Sequence, residues 1–378
     1  MQYKQLLPLA LASVASAQTP SLTDALGSQN STLSSLNALL GSDSRFADAL
    51  NNLQNVTILA PSNDAFGALN DTTSLLTDTG YLQALLSYHV LNGTYHNTSF
   101  TNQSVFIPTT LTNSTYTNVT GGQVVEARLY DNNVTFFSAL KQNASIVTAN
   151  VNFTGGTIHV IDRLLYIPQN VTDTLSNANL TAAEGAINTA NLTDSVLNTH
   201  DITVFAPDND AFNAIGSIIS NLTSDDLTSI IGYHVINGSV NYSTQLQNTT
   251  LTTVNGQNVT ITVENGTVWV NSAKVTVPDV LIANGVVHVV DQVLNPNNTS
   301  ATPDPSATTT TPAFTSASSG TAGIPFTSGV TTPSTTFPAA TSAGGSASSS
   351  SSGAAMPMKT GAVGAAALFG GAAVFANL

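Results

Sequence analysis

The sequence predicts an α+β protein with two tandem domains followed by an extended tail. The segment VTILAPSNDAF at residues 56–66 returns as ITVFAPDNDAF at 202–212, with seven identities in eleven positions. In each copy, segments with helical periodicity precede β-type segments, which is typical of α+β domains. A repeat of roughly 140 residues is the size of a globular domain rather than of a solenoid unit. Residues 299–352 are almost entirely Ser, Thr, Pro, Ala and Gly.

The first elements of each copy are predicted helices within 32–53 and 182–198. Apolar residues such as Leu33, Leu36 and Leu40 recur there at intervals of three and four, which places them on one helical face. A β-type run follows in each copy, Val56–Ala60 and Ile202–Ala206, and ends at a proline. The sequence therefore predicts helices first and a buried strand next.

A second helix is predicted to begin directly after that strand. Ser62 and Asp208 suit the N-cap, and Asp64 and Asp210 fall in the first turn, where the helix dipole favours negative charge. Asp208-Asn209-Asp210 also resembles part of a calcium loop. Its counterpart in the first copy is Ser62-Asn63-Asp64, so only one copy has the extra carboxylate. We therefore interpret this cluster as a helix cap and predict no metal site.

Two further segments are shared by the copies. LLSYHVLNG at 85–93 matches IIGYHVING at 230–238, and GGTIHVIDRLLYIP at 155–168 matches NGVVHVVDQVLNP at 284–296. The first reads as a helix that runs into a strand, and the second as a strand opened by glycine. Between them, Asn265-Gly266 separates VTITV from TVWV and predicts a hairpin.

These segments resemble the fasciclin domain. That family has a TxFAPxNxAF block, a YHV block and an NGxxHVxDxxL block, and this chain contains all three twice, over about 20–168 and 170–296. The resemblance implies that each copy is a seven-stranded β-wedge or sandwich with several helices. It also implies extracellular adhesion or wall organisation, as in fungal glycoproteins of the family that carry a glycosylphosphatidylinositol anchor.

The resemblance also indicates candidate interaction residues. The Tyr-His pairs are Tyr88-His89 and Tyr233-His234, and the Pro-Asp motif is Pro278-Asp279. The first copy has Val147-Thr148-Ala149-Asn150 in the latter place, so the second domain is the better candidate for a binding face. An alternative stays open for each motif: the histidines hydrogen-bond locally beside their tyrosines, and the aliphatic residues around Pro278 pack inside.

The sequence argues against an enzyme and predicts no cofactor. His159 and His288 are each followed three residues later by an aspartate, but in a strand positions i and i+3 point to opposite faces. No G-x-S-x-G elbow, H-E-x-x-H helix or glycine-rich phosphate loop is present. The chain has no cysteine, which excludes thiol catalysis, cysteine-based zinc sites and iron–sulfur clusters.

The two ends of the chain predict secretion and lipid anchoring. Residues 1–17 have the pattern of a signal peptide, with Lys4, a short apolar core and Ala15-Ser16-Ala17. We place the first domain at 18–168, the second at 169–298 and a glycosylated stalk at 299–352. Residues 353–378 read as a removable anchor signal with attachment at Ser352 or Gly353. A true membrane span is the alternative interpretation of that tail.

The chain also carries about 22 Asn-x-Ser/Thr sequons, roughly twice the chance expectation of about ten. We predict N-glycosylation at Asn55, Asn70, Asn92, Asn97, Asn113, Asn118, Asn133, Asn143, Asn170, Asn191, Asn221, Asn237, Asn248, Asn258 and Asn265.

The charge of the chain narrows the classes of partner. The formal net charge is −14, with 7 basic and 21 acidic residues, so no basic patch for nucleic acid can be assembled. The predicted partners are an extracellular protein or a wall polysaccharide, together with a membrane reached through the lipid anchor.

The leading hypothesis is a surface adhesion or wall-organising glycoprotein. The alternatives are a binding module for a wall polysaccharide or small hydrophobic ligand, and a passive glycan coat.

Overall fold

The computed structural model describes residues 19–42, 44–68, 78–303, 312–321 and 323–330. The predicted signal peptide, Asn70, the anchor residues Ser352 and Gly353, and much of the predicted stalk lie outside these residues. Within the described part of the chain, no helix combines the length and apolar character that crossing a bilayer requires.

The first domain has its helices mainly at the N-terminal side and its strands after them, as predicted. The described helices are α1 (Leu22–Ser28), α2 (Asn30–Ser42), α3 (Ser44–Asn51), α4 (Asn63–Gly67) and α5 (Thr79–Tyr88). The strands are β1 (Val56–Pro61), β2 (Val90–Asn92), β3 (Val105–Pro108), β4 (Val124–Tyr130), β5 (Asn133–Phe137), β6 (Asn143–Phe153) and β7 (Gly156–Ile161). Short 3-10 turns occur at Asn97–Ser99 and Ala139–Lys141.

The second domain repeats this order of elements. Its described helices are α6 (Val171–Asn177), α7 (Thr181–Thr189), α8 (Thr193–Asn198), α9 (Asn209–Ala214), α10 (Gly216–Ile219) and α11 (Ser224–Tyr233). Its strands are β8 (Ile202–Pro207), β9 (Val235–Ile236), β10 (Thr249–Thr252), β11 (Asn258–Glu264), β12 (Thr267–Val270), β13 (Ala273–Ile282) and β14 (Gly285–Val290).

Each domain contains one seven-stranded mixed sheet, which confirms the predicted fold class. The strand orders are β2-β1-β7-β6-β5-β4-β3 and β10-β11-β12-β13-β14-β8-β9. Among the described strands, only β1–β7 and β8–β14 pair in parallel. β1 is buried along its whole length because its two faces meet two cores: Ile58 packs with α1–α3, and Leu59 packs with residues of β4 and β5.

The sheet of each domain curls until its two ends meet. In the first domain Leu91 forms a bridge with Thr109, and the Thr110 N–H donates to the Val90 carbonyl at 2.8 Å. In the second domain the Val254 N–H donates to the Val235 carbonyl at 2.8 Å. Because the ends join, the sheet forms a wedge whose interior is filled by side chains.

The predicted caps and turns are present. The Ser62 hydroxyl accepts from the Ala65 N–H at 3.2 Å, and the Asp208 carboxylate accepts from the Ala211 N–H at 2.7 Å. The acidic cluster is therefore a helix cap, as interpreted. The Asn265-Gly266 hairpin joins β11 and β12, and both residues have positive φ, as the tight turn requires.

The two domains share a buried interface. The rings of Phe106 and Tyr242 stack, with centroids 4.0 Å apart and planes at 9°. The Gln123 side chain donates to the Ile282 carbonyl at 3.0 Å, and the Asn118 N–H donates to the Ala283 carbonyl at 2.7 Å. The first domain thus contributes the region from β3 to β4, and the second contributes the loop that carries Tyr242 and the turn between β13 and β14.

Part of the predicted stalk packs on the second domain, which differs from an extended tail. We call residues 312–321 and 323–330 the docked segment. Phe314 and Phe326 pack against the core of the second domain, and Ala313 is 5 % exposed. The composition is polar on average, but these two phenylalanines supply apolar surface whose burial favours attachment.

Candidate interaction surface

The tyrosines of both Tyr-His pairs are buried and support the sheet. The Tyr88 hydroxyl donates to the Val124 carbonyl at 2.9 Å. The Tyr233 hydroxyl donates to the Asn258 carbonyl at 2.8 Å and accepts from the Asn271 side chain at 2.9 Å. Burial raises the pKa of Tyr88 and of Tyr233, so both hydroxyls are neutral donors that fix the helix on the neighbouring strands.

The histidines of the same pairs join the helix end to the segment after the last strand. In His89, Nδ1 bonds the Leu85 carbonyl at 2.8 Å, and Nε2 accepts from the Leu165 N–H at 3.0 Å. His234 repeats this with Ile230 at 2.7 Å and Leu294 at 2.9 Å. Since a backbone N–H can only donate, Nε2 is unprotonated and Nδ1 carries the proton. Burial lowers the pKa of both histidines to about 4.

His159 on β7 and His288 on β14 each fix a loop by hydrogen bonds. Nε2 of His159 bonds the Tyr95 carbonyl at 2.8 Å, and Nε2 of His288 bonds the Asn241 carbonyl at 2.8 Å. Nδ1 of His159 accepts from the Asn150 N–H at 3.2 Å, and Nδ1 of His288 accepts from the Asp279 N–H at 3.3 Å. Both ring nitrogens are engaged by backbone groups, and neither ring forms a dyad with an aspartate.

Asp279 of the Pro-Asp motif is an internal anchor. It is 2 % exposed and adopts φ 61° at an irregularity in β13. One carboxylate oxygen accepts from the Ser243 N–H at 2.7 Å, and the other from the Ser243 hydroxyl. Asp279 thereby holds the loop that carries Tyr242 into the domain interface. Pro278 beside it is half-buried.

Asn150 has the same role in the first domain, although the sequence motif is missing there. It adopts φ 57° at the equivalent irregularity in β6, and its Oδ1 accepts from the Asn97 N–H at 3.0 Å. A Pro-Asp pair was expected only in the second copy, and the structure supplies the matching anchor in both. The difference between the motifs therefore gives no reason to prefer the second domain as a binding face.

The predicted interaction residues thus have internal roles. Tyr88, His89, Tyr233, His234 and Asp279 are all less than 4 % exposed. These five side chains therefore offer a partner almost no surface of their own. The structure favours the alternative of local hydrogen bonding and packing.

Basic side chains are also engaged inside the protein. Lys141 Nζ lies 2.6 Å from Glu126, whose side chain is 2 % exposed, and Arg128 Nε lies 3.9 Å from it. Arg128 and Lys141 also lie over the ring of Phe137. Among the described residues there is no group of three or more His, Asp or Glu side chains arranged to hold a metal ion.

The asparagines of the described sequons lie at the surface or are half-buried. Those on exposed positions are Asn55, Asn92, Asn113, Asn133, Asn191, Asn221, Asn237, Asn248, Asn258 and Asn265. Those on half-buried positions are Asn97, Asn118, Asn143 and Asn170. Glycans on the exposed group would cover both domains.

An apolar groove of about 340 Å³ lies on the helical side of the first domain. It is bounded by α2, α4 and α5, and its lining includes Ala38, Leu39, Phe66, Leu82 and Leu86. This volume falls within the range of small-ligand pockets. Nothing in the sequence indicated the groove, because its lining comes from three helices and from single residues of other segments. Helical periodicity does not encode how these segments pack together.

Comparison with known proteins identifies the repeated domain. Residues 31–168 and 178–296 match the family model described as Fasciclin domain. The chain is 36% identical to a fasciclin-like arabinogalactan protein of Arthroderma benhamiae, over 81% of this chain and 74% of that relative. It is 30% identical to fasciclin-like arabinogalactan protein elcF of Phaeosphaeria nodorum, over 73% of this chain and 90% of that relative.

A solved structure of a FAS1 domain pair, from the insect cell adhesion molecule fasciclin I, is also similar. It is 21% identical with a TM-score of 0.35, over 70% of this chain and 97% of that one. A score of this size adds no weight to the sequence matches, which cover both copies of the domain. This chain belongs to the fasciclin domain family.

Proposed function

We propose that this protein is a non-enzymatic surface glycoprotein that acts in cell adhesion or in organisation of the cell wall. The observation that carries the proposal is a two-domain fasciclin head with a buried interface, Phe106 stacked on Tyr242, and sequon asparagines exposed over both domains. Such a head suits presentation of a fixed surface outside the cell. Two relatives named as arabinogalactan proteins support the glycoprotein part of the proposal.

The proposed location is the cell surface, with residues 1–17 as signal peptide and a lipid anchor at Ser352 or Gly353. The anchor-type order of small residues, spacer and apolar tail supports this. Treating intact cells with a phosphatidylinositol-specific phospholipase should release the protein into the medium. Retention of the protein after enzymatic removal of the wall and phospholipase treatment would favour a true membrane span instead.

The absence of catalysis is part of the same proposal. In each of the four buried histidines, both ring nitrogens form hydrogen bonds with backbone groups. None of these rings is therefore available as a general base. The Asp208 carboxylate is occupied as the cap of α9.

Adhesion can be tested with a deletion strain. Cell aggregation and surface attachment should fall when the gene is deleted and be restored by the full chain. The matched control is a strain that keeps residues 299–378 and the signal peptide but lacks both domains. Equal adhesion in all strains would refute the adhesion role. Adhesion restored equally by the domain-deleted control would indicate the passive glycan coat.

A binding module for a wall polysaccharide or a small hydrophobic ligand is the second candidate. The apolar groove of the first domain favours it, because it is large enough for a small ligand. Purified protein retained on glucan or chitin, yet without effect on cell aggregation, would support this candidate over adhesion.

A further inference from the structure

We propose that the groove of the first domain binds the C-terminal tail of a second copy of this chain, at the Pro- and Thr-rich segment around Phe337. This inference rests on the proposed adhesion function and adds to it a partner for one surface, the groove of the first domain. It starts from the docked segment, which shows how this chain's own tail attaches to a fasciclin domain.

On the second domain, the docked segment crosses the helices that follow and precede β8. The Phe326 ring meets the Phe212 ring edge-on, with centroids 5.9 Å apart. A Cβ added to Gly185 of α7 would overlap the Phe326 carbonyl oxygen, so the tail backbone lies directly on that helix. The Ser217 N–H donates to the Ser318 carbonyl at 3.0 Å, and the Gly320 N–H donates to the Asn213 carbonyl at 2.9 Å.

The groove of the first domain is the equivalent place. The Asn63 side chain accepts from the Ser35 N–H at 2.9 Å, and the Asn209 side chain accepts from the Ala182 N–H at 3.0 Å. Counting three residues onward from these matched N–H groups pairs Ala38 with Gly185. The shared APxNDAF block pairs Phe66 with Phe212. Ala38 and Phe66 both line the groove.

The paired residues differ in exposure, as expected if one site is filled and the other is open. Phe212 is 1 % exposed beneath the docked segment, whereas Phe66 is only half-buried. Gly185 is buried, whereas Ala38 is exposed. Within the described residues, the first domain therefore presents the apolar face that the second domain has covered with its own tail.

The chemistry of the tail fits this groove. The docked phenylalanines lie in PAFTS at 312–316 and IPFTS at 324–328, and a third uncharged segment, TTFPA at 335–339, follows. The one ionisable side chain in the groove lining is His89, whose ring is held neutral by its backbone hydrogen bonds. An uncharged segment with one aromatic anchor can therefore enter without desolvating a charge.

The tail that reaches the groove belongs to a second copy. Phe337 follows the last described docked residue, Val330, by seven positions, which span at most ~25 Å. The docked segment lies on the second domain and the groove on the first, and a domain of this size is roughly 35 Å across, more than these seven residues span. A tail-in-groove contact between copies is heterologous and extends into open chains of molecules.

The first test measures binding of a labelled peptide of residues 332–340, TPSTTFPAA, by fluorescence polarisation. The receptor is the purified full chain carrying Phe337→Ser, which leaves its groove free. Ala38→Glu in that receptor should weaken binding at least tenfold, because it places a charge in the groove. Gly41→Glu is the matched control, since Gly41 lies on the same helix with open space around it. Equal binding by both variants, or no binding at all, would overturn the proposal.

The second test is self-association, followed by sedimentation velocity. The wild-type chain should associate with increasing concentration, and Phe337→Ser and Ala38→Glu should each be monomeric. A mixture of these two variants should form a heterodimer, because one supplies the groove and the other the tail. A monomeric wild-type chain whose groove excludes the peptide would mean that its own tail occupies the groove, which refutes the second copy as occupant.

The two proposals fail separately. Cell adhesion that survives Phe337→Ser but not removal of both domains would refute the tail-in-groove contact and leave the adhesion function standing. Peptide binding and self-association as expected, with adhesion unchanged in the deletion strain, would refute adhesion and retain the contact.

Discussion

Acid should destabilise this protein through its buried histidines. His89 and His234 are held in the neutral form, with Nε2 accepting a backbone N–H. Protonation of Nε2 would replace that hydrogen bond with a clash of two donors. Burial lowers the pKa of each ring from 6.5 to about 4. The unfolded chain therefore binds more protons than the folded chain between these two pH values.

The direction and size follow from proton linkage. Because the folded pKa is depressed, the stabilisation is fully present above pH 6.5 and is lost as the pH falls towards 4. Integrating the difference in bound protons from pH 7 to pH 5 gives about 2 kcal/mol lost per histidine, one in each domain. Burial also lowers the pKa of His159 and His288, so their contribution to stability is likewise lost as the pH falls.

Urea unfolding monitored by circular dichroism at several pH values measures this loss. Carboxylates titrate in the same range, so the comparison is between the wild type and the double variant His89→Gln, His234→Gln. Glutamine can still accept the Leu165 and Leu294 N–H groups but cannot be protonated. The variant should be less stable at pH 7, and its unfolding free energy should fall less steeply between pH 7 and 5.

The exposed His200 provides the control for the substitution itself, because His200→Gln removes no buried ring. Parallel pH profiles for the wild type and the double variant would refute the reasoning. A nuclear magnetic resonance titration in which the His89 ring of the folded protein takes up its proton near pH 6.5 would refute it as well.

Three further predictions concern the anchor, the interface and the docked segment. Asp279→Ala should lower the free energy of unfolding by about 1–3 kcal/mol, because it leaves the Ser243 N–H without its partner. Asp279→Asn should be tolerated, because Asn150 already performs this role in the first domain. Urea unfolding distinguishes the two variants, and equal losses of stability would contradict the role of Asp279 as an anchor. Tyr242→Ala should separate the thermal unfolding transitions of the two domains in calorimetry. Tyr242→Phe should change little, because the hydroxyl has no hydrogen-bond partner in the described part of the chain. A single, unchanged transition in both variants would count against a stabilising role of the interface. Gly185→Ala should detach the docked segment without unfolding the domain, seen as faster hydrogen exchange confined to 312–330.

Local patterns predicted the elements of the fold well. The helix caps at Ser62 and Asp208, the Asn265-Gly266 hairpin and the strands that end at Pro61 and Pro207 depend on contacts between near neighbours in the chain. The seven-stranded sheet followed from the family resemblance rather than from periodicity. Its curl, joined at Leu91 and Thr109, required the tertiary structure.

The candidate interaction residues show where the sequence misleads. Tyr88-His89 and Pro278-Asp279 were candidates because of the family resemblance, with local hydrogen bonding and packing as the open alternative. Their polar atoms instead satisfy backbone groups of distant segments, such as the Leu165 N–H for His89 and the Ser243 N–H for Asp279. Side-chain burial depends on what packs from elsewhere in the chain, so it cannot be read from local composition.

By itself, the sequence determined that this protein is a tandem pair of fasciclin domains, because the duplicated blocks encode caps, strands and turns through short-range chemistry. The tertiary structure decided which residues face solvent. The Tyr-His and Pro-Asp motifs form internal hydrogen bonds or pack inside the domains. Phe326 packs on Phe212, whereas Phe66 stays half-buried. The physical reason is that accessibility arises from packing between segments far apart in the chain, and two equivalent sequences acquire different surfaces when only one of them is covered.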